Sequence, residues 1–139
     1  MKTIFVDTSA WYAIQDKNDK NHKMATLFIQ ESVMGKYGLI TTNYIFDEIY
    51  TLLLDRIGYR FAVQFKNTIN TMQNSHMLTV IHISESLEES AWKVFEEFNI
   101  DKKWSFTDCT SKAAMEQSEI NEVFAFDHHF EQMGFIRKP

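Results

Sequence analysis

Four acidic residues have the types and positions for chemistry: Asp7, Glu48, Asp108 and Asp127. Asp7 closes the apolar run Ile4-Phe5-Val6, the pattern of a buried central strand, and Thr8-Ser9 can open a helix directly behind it. Glu48 lies at the edge of the apolar arc of the next long helix but one, where an unpaired carboxylate is costly. Asp108 stands three residues after Ser105 in a pattern like a capping box, and Asp127 directly follows the apolar segment Glu122 to Phe126. Each aspartate has a local explanation as a helix cap or first-turn acid. Capping does not explain why all four would meet. Carboxylates held close together repel, so a stable cluster calls for a cation. Oxygen-only ligands select Mg²⁺ or Mn²⁺, and the chain has no Cys/His spacing of a zinc site. Such ions clamp the attacking and leaving oxygens of a phosphodiester, which points to a metal-dependent phosphodiesterase or nuclease.

Convergence depends on the elements that carry the acids. After the first strand and short helix, Gln15 to Asn21 reads as a polar loop. A helix over 22–36 follows, with Met24, Leu27, Phe28 and Val33 inward. Leu39 to Thr42 reads as a second strand, and Asn43 to Ile57 as a helix with a wide apolar arc that includes Ile45, Phe46, Ile49 and Leu53. Gly58 stops it. Tyr59 to Asn74 makes another helix, with Phe61, Val63, Phe65, Ile69 and Met72 inward. Met77 to His82 is a third strand, and a helix from Ser84 reaches Phe98. Another runs from Ser105 to about Ser118, a fourth strand covers Glu122 to Phe126, and a short helix spans His128 to Met133. Gly134-Phe135-Ile136 would close the chain as an edge strand. Strands alternating with helices imply right-handed crossovers. The expected fold is α/β: an α/β/α sandwich with a mostly parallel central sheet of four to five strands, in one domain over residues 1–139. Ligands in such sheets bind at the carboxyl ends of the strands, where Asp7 and Asp127 emerge.

Bulk properties exclude several classes. No apolar run approaches a membrane span, and the start Met1-Lys2-Thr3 lacks the pattern of a signal peptide. The single cysteine, Cys109, rules out an internal disulfide and fits a cytoplasmic setting. A net charge of −5 disfavours simple electrostatic binding of nucleic acid. Setting aside four acids around a cation brings the remainder close to neutrality.

The segments Phe5-Val6-Asp7-Thr8-Ser9-Ala10-Trp11, Thr42-Asn43-Tyr44 with Glu48, Thr107-Asp108-Cys109, and Phe126-Asp127-His128-His129-Phe130 with Gly134-Phe135 together resemble a PIN domain of the VapC-type toxin ribonucleases. The resemblance spans the chain and keeps the acids in the family's order. It implies cleavage of RNA, Asp7 and Asp108 as principal Mg²⁺ ligands, Glu48 and Asp127 completing the acidic centre, and hydroxyl support from Thr8, Ser9 and Thr107. It also implies restraint by a small antitoxin protein. A partner of that kind would cover a helical groove and project an Arg or Lys toward Asp7 and Asp108. The apolar helices between Asn43 and Asn74 suggest a homodimer.

Other polar residues have plainer readings. His128 and His129 lie next to Asp127, so one could act near substrate, but they read first as surface residues of a short helix, and Cys109 as a small core residue. Lys20, Lys23, Arg56, Arg60, Lys102, Lys103 and Lys112 form either a basic rim for phosphates or a solvated face. Trp104 could stack a base, whereas Trp11 reads as packing. A receiver domain would need an acidic pair at the first strand, and a dehalogenase-like phosphatase an aspartate where Ser9 stands. A catalytically silent PIN-like binding module remains the alternative.

Overall fold

Strand β1 (Thr3–Val6) is the middle of the sheet, and the apolar run Ile4-Phe5-Val6 is completely buried there. In the computed structural model, which describes residues 2–139, the elements follow as α1 (Thr8–Gln15), α2 (His22–Met34), β2 (Gly38–Thr42), α3 (Asn43–Arg56) and α4 (Tyr59–Asn74). Then come β3 (Leu78–Ile81), α5 (Glu85–Phe98), α6 (Phe106–Gln117), β4 (Glu122–Phe124), α7 (His129–Gln132) and β5 (Ile136–Lys138). The sheet order is β3-β2-β1-β4-β5, and every pairing is parallel. The chain leaves β1 toward β2 on one side and returns to β4 on the other. The strand order therefore reverses beside β1, which opens a crevice at the carboxyl ends of β1 and β4. Helices cover both faces, as the alternation of elements requires. Among the described residues, no helix is long and apolar enough to cross a membrane.

Thr41 shows how tightly the centre is built. Its buried hydroxyl donates to the Val6 carbonyl at 3.0 Å and accepts from the Trp11 indole at 3.4 Å. Trp11 meets Phe65 edge-on, and Phe65 also packs against Phe46 and Tyr50. These rings lock α1, α3 and α4 together in one core.

Four expectations from the sequence need correction. In α2 the inward stripe is Ala25, Phe28, Ile29, Ser32 and Val33, while Met24 and Leu27 are more than half exposed. The small Ala25 and Ser32 take the buried positions, where a larger side chain would hold the helix away. In α4 the buried stripe is Phe65, Ile69 and Met72, at helical spacing, so Phe61 and Val63 fall beside it and stay exposed. Finally, β4 stops at Phe124, because the Phe126 N–H turns away to bond Ser9 Oγ at 3.0 Å. Asp127 consequently stands three residues beyond the strand. The edge strand also begins two residues late, since Gly134 adopts a left-handed turn conformation (φ 94°) after α7.

Candidate active site

The crevice beside β1 is a cleft of about 400 Å³, and Asp7, Glu48, Asp108 and Asp127 all line it. Each arrives from a different segment. Asp7 leaves β1 and caps α1, its Oδ2 accepting the Ser9 N–H at 3.1 Å and the Ser9 hydroxyl at 2.8 Å. Thr42 ends β2 and caps α3 through the Ile45 N–H, so the helix starts without a linker and carries Glu48 to the cleft in its second turn. Asp108 belongs to the capping box of α6: the Ser105 hydroxyl accepts the Asp108 N–H, and Asp108 Oδ2 accepts the Ser105 N–H at 3.1 Å. Asp127 follows the turn out of β4, and its Oδ1 accepts the His129 N–H at 3.0 Å. Asp7 and Asp108 therefore do serve as caps, and the same two residues converge with Glu48 and Asp127.

Burial makes these acids unusual. Asp7 is 3% exposed and Asp108 is 7% exposed. Loss of solvent pushes the Asp7 carboxyl up to about 7, the Asp108 charge adds to the rise, and the Ser9 bonds oppose it. Burial also raises Asp108 above the usual carboxylate range, against its bonds to His129 and Ser105. Glu48 is raised by burial as well, with Asp108 and Asp127 contributing like charge. The nearby Thr8 hydroxyl tempers that rise, yet Thr8 Oγ1 is buried without a hydrogen-bond partner. Metal-free, the cluster is an excess of negative charge with too few donors.

Ser9 Oγ joins the two halves of the site by donating to Asp7 and accepting from Phe126. Ser9→Ala should therefore lower stability by about 1–2 kcal/mol, because Phe126 loses its acceptor and Asp7 one of its donors. Urea unfolding of both proteins measures it.

His129 corrects the surface reading. Its Nδ1 lies 2.8 Å from Asp108 Oδ2 and 3.3 Å from Asp127 Oδ1. The signal in the sequence was the placement of His129 two residues beyond Asp127. His128 is exposed and pairs with Glu131. Of the expected basic rim, Arg56 and Lys103 line the cleft, with Arg56 lying over the Tyr12 ring. Lys112 instead pairs with Glu116 and lies over Phe98, and Lys102 pairs with Asp101. Trp104 is buried, stacks on Phe98 and donates to Gln132 at 2.8 Å, so it has no free face for a base. No hydrogen bond joins the Thr107 side chain to the acids among the described residues; Ser105 holds that place on α6.

Residues 4–136 match the PIN domain family. The chain is 34% identical over 134 residues to the 23S rRNA-specific endonuclease VapC20 of Mycobacterium tuberculosis, covering 96% of this chain and 95% of that protein. It superimposes on the crystal structure of VapC20, described as a Sarcin-Ricin loop cleaving toxin, with a TM-score of 0.82 and 33% identity over 96% of each chain. The structure of FitAB bound to an IR36 DNA fragment shares the fold at a TM-score of 0.68, with 11% identity over 97% of this chain and 93% of that one. Family match, sequence and five-stranded parallel fold agree: the chain belongs to the PIN domain family.

Proposed function

We propose that this chain is a divalent-metal-dependent endoribonuclease, the toxin of a toxin–antitoxin pair, with Asp7, Glu48, Asp108 and Asp127 as its acidic centre. The observation that carries this reading is the meeting of four carboxylates, from four separate segments, in one cleft at the strand-order reversal. The donor set suits Mg²⁺ or Mn²⁺: it is rich in carboxylate oxygen, and the orphaned Thr8 Oγ1 is an acceptor awaiting a donor such as a hydrating water. Asp7 and Asp108 would hold the ion, with Glu48 and Asp127 beside them. When bound, the ion neutralises the crowded acids and stabilises charge on the phosphodiester oxygens during displacement.

The chain's own groups then have defined tasks. Ser9 and Ser105 fix the Asp7 and Asp108 carboxylates by hydrogen bonds, so that neither must reorganise when substrate arrives. Water attacks phosphorus as the bond to one ribose oxygen breaks. Half-buried Glu48, which lines the cleft, takes the proton that the water loses, and the departing oxygen is protonated from solvent. Arg56 and Lys103 bind flanking phosphates, which offsets the acidity of the whole chain at the one place where RNA must approach. Arg56→Ala and Lys103→Ala should each weaken RNA binding and reduce the steepness of its salt dependence by about one unit. Titrations by fluorescence anisotropy at several salt concentrations measure both effects.

The likeness to VapC20 supports structured RNA of the large ribosomal subunit as the substrate class. Purified protein incubated with ribosomes, deproteinised ribosomal RNA and transfer RNA should yield one dominant cut in the large-subunit RNA. Cutting confined to transfer RNA would reassign the substrate. Binding without any cut would favour the catalytically silent module.

The reading includes two protein partners. Tyr59 and Val63, one turn apart on α4, and Leu54 on α3 are exposed apolar residues, which supports a two-fold homodimer. Light scattering should give twice the chain mass; a monomer at high concentration argues against it. A separate apolar groove, lined by Trp11, Ile14, Ile29, Val33, Phe65 and Met72, suits the helix of an antitoxin.

A further inference from the structure

The acidic centre contains a nitrogen donor that the four-acid description omits. His129 Nδ1 lies 2.8 Å from Asp108 Oδ2 and 3.3 Å from Asp127 Oδ1, and the three donor atoms lie within 4.8 Å of one another. Adjacent ligands around an octahedral ion with bonds near 2.1 Å lie about 3.0 Å apart, so both spacings suit neighbouring coordination positions. The ring is also held in place. The His129 backbone N–H donates to Asp127 Oδ1 at 3.0 Å, which fixes the residue over the two acids from its own main chain. An independent feature of the same cleft is Thr8, 4% exposed, whose buried Oγ1 lines the cleft and has no partner.

We propose that His129 Nδ1, with Asp108 and Asp127, forms a mixed nitrogen–oxygen subsite that makes the centre prefer Mn²⁺ to Mg²⁺. The inference rests on the metal-centre reading above and adds the preference to it. Mg²⁺ is a hard ion that favours oxygen and keeps its waters, whereas imidazole nitrogen is a better ligand for transition metals. Neutral imidazole carrying its proton on Nε2 presents Nδ1 as the donor. In the metal-free protein the same nitrogen lies within hydrogen-bonding distance of Asp108.

The test uses the full chain and needs no cleavage assay. Calorimetric titrations with Mn²⁺ and with Mg²⁺ are run on wild type and on His129→Gln, which exchanges the ring nitrogen for an amide that still reaches by hydrogen bonding. Wild type should bind Mn²⁺ at least about tenfold more tightly than Mg²⁺, and the variant should lose about tenfold in Mn²⁺ affinity with little change for Mg²⁺. Pulsed electron paramagnetic resonance of Mn²⁺ on wild type should show coupling to a nitrogen nucleus, a readout that does not depend on how the variant folds. Bound Mn²⁺ without nitrogen coupling, or an equal loss of both metals in the variant, overturns the role of His129 and leaves the acidic centre standing. Failure of both metals to bind wild type overturns the centre itself.

Discussion

Asp7→Asn should abolish most RNA cleavage while leaving a folded protein. Changing a residue that only supports a metal ligand typically lowers affinity or activity 10- to 100-fold, so loss of a principal ligand should cost about 100-fold or more. The fold is spared because Asn caps about as well as Asp, and its side-chain oxygen still accepts from Ser9. Metal-free stability should rise at pH 8, since the substitution removes a charge that burial and Asp108 both disfavour. Stabilisation by added Mn²⁺ should shrink in the same protein. A residue serving only as a cap would show none of this. Cleavage assays together with melting curves, with and without metal, separate the two roles.

Metal-free stability should also fall as pH rises from 5 to 8. The carboxyl of Asp7 loses its proton near 3.8 in the unfolded chain and near 7 in the folded one. Between those values the folded state holds more protons, so raising the pH favours unfolding. Below the unfolded value the penalty is absent, and above about pH 7 it is complete. Taken alone, Asp7 accounts for roughly 3 kcal/mol between pH 5 and 8, the rest of its penalty having accrued below pH 5. Asp108 and Glu48 are raised and act in the same direction. Asp16, Glu122 and Glu131 are lowered by their partners and act oppositely, but below the ordinary carboxylate range. A divalent ion competes with protons for the same oxygens, so its stabilising effect should grow through the window. Melting temperatures in chelator that decline from pH 5 to 8, and recover with Mn²⁺, are the expected result. A flat or rising profile in chelator contradicts it.

Much of this was legible in the residues. The run Ile4-Phe5-Val6 ending in Asp7 located the central strand and the sheet edge where the cleft opens, and the alternation of elements pointed to a parallel sheet. Ser105 with Asp108 was readable as a capping box because that motif is local. What escaped depends on contacts between distant segments. Ser9 meets Phe126 across 117 positions, and that bond shortens β4 and swings Asp127 into the cleft. His129 resembled a surface residue because its contact with Asp108 joins segments 21 positions apart, although its nearness to Asp127 is local. The inward face of α2 was misread for a different reason: large apolar residues attract attention, but the close approach of a helix is made by Ala25 and Ser32.

The most direct test of the metal-dependent centre is a time course of ribosomal RNA cleavage by the purified chain in excess chelator, followed by addition of Mg²⁺ or Mn²⁺ beyond the chelator. No product should form before the addition, and a defined product should appear after it. Cleavage that proceeds undiminished in chelator contradicts the metal-dependent site.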